Sequence, residues 1–202
     1  MSVTAPKGFV AAGVHAGIRR DRKDVAVLLA CSGATGAAMW TQNRVQAAPV
    51  VVSKANLELA QPRAVVVNSG VANAATGTQG IADAIATADH AAQVLGLAPE
   101  EVLVLSTGVI GAPLPLDRVC AGIDVAASRL TTEGGARLLR VLDFPDLRET
   151  GRARASNDGL ARSDPRPRGA QEDPGRIGIV ADGGGTGDGP LGARECATAP
   201  SG

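Results

Sequence analysis

The stretch "STGVIGAPLPLD", residues 106–117, holds the residue types best suited to chemistry. It follows the apolar run Val102-Leu103-Val104-Leu105 and leaves it through Ser106, Thr107 and Gly108. A strand that ends this way exposes backbone N–H groups, and glycine lets another group approach closely. Backbone donors at such a turn can hold a negative oxygen. Three readings fit: a phosphate cradle, an oxyanion hole for acyl transfer, or simply a tight turn from strand to helix. The phosphate reading lacks its usual support, because the chain has neither GxxxxGK[ST] nor GxGxxG after a strand.

Two further segments have the same character. "NSGVANAATG" (68–77) is a small-residue turn after an apolar run. Its Asn68, Ser69, Asn73 and Thr76 suit either local Asx and Ser/Thr turns or the polar wall of a pocket shared with 106–111. "TQNRVQAAPV" (41–50) is a third polar exit, whose Arg44 suits a substrate carboxylate or a surface acid.

Other chemistries find little support. Lys plus Arg equals Asp plus Glu at 20 each, so charge points to neither nucleic acid nor an anionic membrane. Tyrosine is absent and only Phe9, Trp40 and Phe144 are aromatic, which argues against base stacking. Cys31, Cys120 and Cys196 are far apart, odd in number and without CxxC spacing, so neither a disulfide framework nor a metal site is expected. His15 and His90 lie far apart and read as structural or surface residues. The apolar runs are too short to span a bilayer, and "MSVTAPKGFVAAG" lacks the layout of a signal peptide. A cytoplasmic protein is expected.

These segments need a scaffold. "DVAVLLAC" (24–31), "GAAMWTQ" (36–42), "APVVVS" (48–53), "RAVVVNS" (63–69) and "EEVLVLST" (100–107) read as strands. "TQGIADAIATADHAAQVLG" (78–96) has the helical period, with Ile81, Ile85, Ala88, Ala92 and Leu95 on one face. Thr78 is placed to cap its start and Gly96 its end. "LDRVCAGIDVAASRL" (116–130) reads as the next helix, after the prolines of "PLPLD". Strands first, then strand and helix alternating, favours a layered α/β or α+β sandwich over a doubly wound sheet. The domain is expected over 1–142. Residues 143–202 carry eight Arg, seven Asp and no Lys, with runs such as "ADGGGTGDGPLG". That tail offers little apolar surface to offset its ordering entropy and is expected to be mostly disordered. "RIGIV" (176–180) is its one candidate strand.

"TQNRVQAAPV", "RAVVVNSGVANAATGTQG" and "STGVIGAPLPLD", in this order and spacing, closely resemble the ornithine acetyltransferase family, the bifunctional glutamate N-acetyltransferases of arginine biosynthesis. The resemblance covers residues 6 to about 137. It implies a partial αββα sandwich. It also implies a multifunctional precursor that cuts itself into α and β chains before a threonine, which becomes the nucleophile. That threonine takes acetyl from N-acetylornithine and passes it to glutamate. In the family the Thr and Gly of the Ser-Thr-Gly-Val-Ile-Gly motif form the oxyanion hole, here Thr107 and Gly108. No cofactor is implied, although some members accept acetyl-CoA as the acetyl donor. The implied partners are the two small-molecule substrates and a β chain, in a heterotetramer of two α and two β chains.

The chain departs from that pattern in places. Val71 stands for the usual Asn, Ala75 for the usual Cys, and Trp40 where Phe is common. After "EGGAR" (133–137) the family's substrate motif and cleavage segment are missing. A truncation, or a change of reading frame near residue 137, is expected to explain the abrupt turn to Arg, Gly, Pro and Asp. The alternatives are an inactive remnant or paralogue that binds or regulates an intact enzyme, and an unrelated phosphate-binding module.

Overall fold

The computed structural model describes residues 3–31, 34–141 and 177–181. Its centre is a four-stranded sheet of β1 (Phe9–Val14), β2 (Val25–Ala30), β4 (Ala64–Val71) and β5 (Val102–Val109), in the order β1-β2-β4-β5. β1 and β4 each pair antiparallel with β2, whereas β4 and β5 run parallel. A parallel pair needs a crossover, and α2 (Gly77–Leu95) provides it. β3 (Ala34–Ala38) lies outside this sheet and pairs antiparallel with β6 (Ile177–Ala181).

Alternation along the strands divides the core in two. Val25, Val27, Ala64, Val66, Val102 and Val104 face one way. They pack with residues of α1 (Ala48–Leu59), α2 and α3 (Leu116–Ala127). Ala11, Ala26, Val65, Val67 and Leu103 face the other way, joined by Leu138 and Val141 at and just beyond α4 (Gly135–Leu139). This is a mixed α/β layered arrangement, as the order of elements implied.

Two buried polar groups fix the backbone around the sheet. The Asp24 carboxylate is fully buried and accepts the N–H groups of Ala16, Ile18 and Arg19, which folds the β1–β2 loop onto itself. Ser53 of α1 exchanges two 2.8 Å hydrogen bonds with the N–H and C=O of Val104, fastening the helix to the open edge of β5.

Several expectations need correcting. "APVVVS" is no strand: it is the first half of α1. Pro49 is tolerated in a helix's first turn, and the run continues into "KANLEL" without a break. Burial then follows a helical period, with Ala48, Pro49, Val52 and Ser53 inside and Val51 outside. Packing has outweighed β-branched propensity. β3 lies at 34–38, so Met39 to Gln42 are free of the strand. β1 gave no strand signal, because "FVAAGV" is buried at every position and does not alternate. In α2 the buried face is Gly80, Asp83, Ala84, Thr87, Ala88, Ala91 and Ala92, while Ile85 is 46% exposed. Its N-cap is Thr76 rather than Thr78, and Gly96 closes it in the left-handed conformation as expected.

His15 and His90 are structural. His15 Nδ1 meets the Arg22 carbonyl at 2.7 Å, and His90 Nε2 meets Asp124 at 2.8 Å, joining α2 to α3. Cys120 is a free thiol. Burial, then Asp124 and Asp117, push the Cys120 thiol's pKa up. The expected tail lies outside the described residues except for β6, which meets the strand expected at 176–180.

Candidate functional site

The three polar exits meet in one cleft of about 400 Å3. Trp40, Thr41, Asn43 and Gln46 come from the segment between β3 and α1. Ala72, Ala74 and Ala75 come from the turn after β4. Ser106, Thr107, Gly108 and Ile110 come from the end of β5 and just beyond. The parallel pairing explains the convergence, because β4 and β5 end side by side with Asn68 against Ser106 and Gly70 against Gly108. The last turns are stitched together as well: Ala72 N–H donates to the Val109 carbonyl at 2.9 Å, and Gly111 N–H to the Ala74 carbonyl at 2.8 Å.

The polar residues of 68–77 do not wall the cleft. Asn73 is fully buried, donating to the Gly80 carbonyl and accepting from the Thr76 hydroxyl, both at 2.8 Å. Asn68 accepts from the Ser106 hydroxyl at 2.5 Å and donates to the Val71 carbonyl at 2.9 Å. These side chains build the turn, and its alanines face the cleft. Arg44 is exposed and outside the lining. The substituted Ala75 lines the cleft with φ at 56°. Trp40 lines it too.

Gly108 has φ at 135° and stands against Gly70, whose φ is 113°. A Cβ on Gly108 would lie 2.3 Å from the Gly70 carbonyl carbon and 2.6 Å from the Val71 nitrogen. The glycine is therefore required by the neighbouring strand, as well as leaving room for any ligand.

The donors follow from the strand's geometry. Val104 turns its N–H and C=O outward, toward Ser53. Groups along a strand alternate sides, and Val109, five residues on, turns its carbonyl inward to Ala72. Thr107 therefore directs its carbonyl toward β4, and the Gly108 N–H points to the open edge, into the cleft. The Thr107 side chain is half-buried, and its hydroxyl makes no hydrogen bond among the described residues.

No carboxylate, imidazole, amine or thiol lines the cleft among the described residues. No group of His, Cys, Asp or Glu among them is placed to hold a metal ion. The arrangement supplies neutral hydrogen-bond donors and apolar walls. It can stabilise developing negative charge on an oxygen, but among the described residues it holds no base to activate a nucleophile.

Residues 10–164 match the model of the ArgJ family, which carries the match past residue 137. The "Arginine biosynthesis bifunctional protein ArgJ" of Symbiobacterium thermophilum is 53% identical over 137 residues, 66% of this chain and 34% of its own length. The protein of that name in Caldanaerobacter subterraneus subsp. tengcongensis is 50% identical over 133 residues, 66% of this chain and 33% of its own. The chain thus spans about a third of the length of the curated relatives it matches. Among solved structures, the crystal structure of ArgJ from Bacillus halodurans superposes with a TM-score of 0.67 at 38% identity, covering 73% of this chain and 78% of that one. Ornithine acetyltransferase from Mycobacterium tuberculosis, solved in complex with ornithine, gives 0.69 at 39% identity, covering 72% and 80%.

Proposed function

The chain belongs to the ArgJ family, and from that premise we propose that its cleft is the charge-stabilising half of a glutamate N-acetyltransferase active site. In this reading the scissile acetyl group of N-acetylornithine lies against Gly108. A threonine nucleophile attacks its carbonyl carbon, and the resulting oxyanion receives the Gly108 N–H and the Thr107 hydroxyl. The threonine's hydroxyl proton passes by way of its own amine to the leaving nitrogen as the C–N bond breaks, so ornithine leaves with its amine free and acetyl remains as a threonine ester. Glutamate's neutral amine then attacks the ester carbonyl, the ester C–O bond breaks, and one amine proton returns to the threonine oxygen to restore the nucleophile. The carrying observation is the cleft's content: hydrogen-bond donors on an open strand edge and, among the described residues, no base. Such a site complements a partner that brings its own nucleophile and amine.

That partner is the β chain of a self-cleaving precursor, in an assembly of two α and two β chains in the cytoplasm. Support comes from the contrast in coverage. The chain matches 78–80% of the solved chains but about a third of the curated relatives, as expected where long precursors yield shorter chains. Acetyl-CoA is an alternative donor to the same threonine, and no cofactor is required. The shift in composition after residue 137 fits a change of reading frame, which sequencing the gene through codons 130–202 and beyond tests directly.

Trp40, the only tryptophan, lines the cleft and reports on its occupancy. Titrating N-acetylornithine is expected to change its fluorescence saturably. When the β chain of a close relative is supplied, the wild-type chain is expected to transfer acetyl to glutamate. Thr107→Ala is expected to lower turnover about a hundred- to a thousandfold, as loss of one oxyanion donor does. Unchanged turnover would remove Thr107 from the mechanism. Binding without any transfer would favour the inactive paralogue.

A further inference from the structure

One polar group beside the cleft remains unexplained. Ser69 is 1% exposed, and its Oγ has no hydrogen-bond partner among the described residues. Buried hydroxyls are nearly always paired, so an orphan calls for a reason. Its backbone is fixed, since its N–H donates to the Asp24 carbonyl at 2.8 Å, and Asp24 is itself held by three backbone donors.

The register supplies the reason. Ser69 stands directly opposite Thr107 in the parallel β4–β5 pair. Both are odd-numbered members of strands whose odd residues, Val65, Val67, Leu103 and Leu105, share one face of the sheet. Their even-numbered neighbours Asn68 and Ser106 bond to each other on the opposite face. Adjacent strands lie about 4.8 Å apart, and each hydroxyl has staggered χ1 rotamers to choose from, so paired positions on one face are close enough for the two hydroxyls to meet.

We propose that Ser69 is a positioning residue for Thr107: its hydroxyl donates to Thr107 Oγ when an acyl group enters the cleft, turning the Thr107 proton toward the acyl oxygen. This rests on the reading of Thr107 as an oxyanion donor. A lone threonine hydroxyl is a free rotor, and pinning its oxygen leaves its proton one useful direction. The paired hydroxyls also polarise one another, which strengthens the outer bond where water is excluded. Ser69 gains the partner it lacks when the cleft is empty. No covalent bond changes.

The test is a double-mutant cycle on the full chain, with N-acetylornithine as the probe and Trp40 fluorescence as the readout. Ser69→Ala is expected to weaken binding about two- to tenfold, the loss of one hydrogen bond. In a Thr107→Val background the same change is expected to have no effect. The melting temperature of ligand-free Ser69→Ala is expected to be unchanged or raised, because an unpaired hydroxyl has been removed; a merely structural serine would lower it. Equal binding by wild type and Ser69→Ala, or an equal loss in both backgrounds, overturns the proposal while leaving the Thr107 reading intact. No binding by the wild-type chain overturns both.

Discussion

Gly108 carries two demands at once, and the structure separates them. Its N–H faces the open edge of β5, while its missing side chain admits the backbone of Gly70. Gly108→Ala is therefore expected to destabilise the fold by about 2 kcal/mol or more, since a left-handed strand residue already costs about 1–3 kcal/mol without a clash. Urea denaturation measures it, and a loss below about 0.5 kcal/mol would show that the two strands can part cheaply. Cys120 makes a second case. Burial and then Asp124 and Asp117 hold its thiol protonated beyond the ordinary range, so alkylation at pH 8 is expected to be slower than for a free thiol. Asp117→Asn is expected to speed it modestly, and no change would exclude that carboxylate as a cause. The Ser-Thr-Gly strand exit at 106–108 was legible because it is a local pattern, whereas the reading of Thr107 and Gly108 as an oxyanion hole comes from the family resemblance. Ser69 was legible only as a turn residue, because its partner is set by register.

α1 shows how packing overrides local preference. Three successive valines after a proline read as a buried strand, yet only Val52 of the three is buried and Val51 is 42% exposed. Val51→Ala is expected to change stability by less than about 0.5 kcal/mol, as at an exposed helical site. A buried strand position would lose several times that, so one equilibrium unfolding curve distinguishes the two. α2 ends where the sequence indicated, at Gly96, with φ at 68° and open space where a Cβ would go. Gly96→Ala is therefore expected to cost about 1–2 kcal/mol from backbone strain alone. The helix period in α2 was readable, and one residue of its expected buried face, Ile85, was misplaced. Ala88 and Ala92 are buried and Ile81 and Leu95 pack against the core as expected, whereas Ile85 turns to solvent and Ala84 and Ala91 are buried instead.

Around the cleft mouth, apolar side chains face water. Val45 is 78% exposed and Ile110 68%, with Met39 and Val109 also exposed nearby in the chain. Such a group is a liability in an isolated chain and an asset against a partner. The chain alone is expected to aggregate at micromolar concentration, and Val45→Thr with Ile110→Thr to suppress this without lowering the melting temperature. Light scattering and a thermal melt report both. A monodisperse wild-type chain with one sharp transition would argue that these residues need no cover. No helix among the described residues is long and apolar enough to cross a membrane.

The amino-acid order was enough to announce a layered α/β domain and the polar segments at 41–50, 68–77 and 106–111, because short motifs and apolar periodicity are local properties. It could not show that β4 and β5 lie parallel and end together, that the polar side chains of 68–77 turn inward while its alanines face the cleft, or that Ser69 stands beside Thr107. Those facts depend on which strand pairs with which, and in what register. That choice is made by burying both faces of the sheet at once, which no single segment encodes.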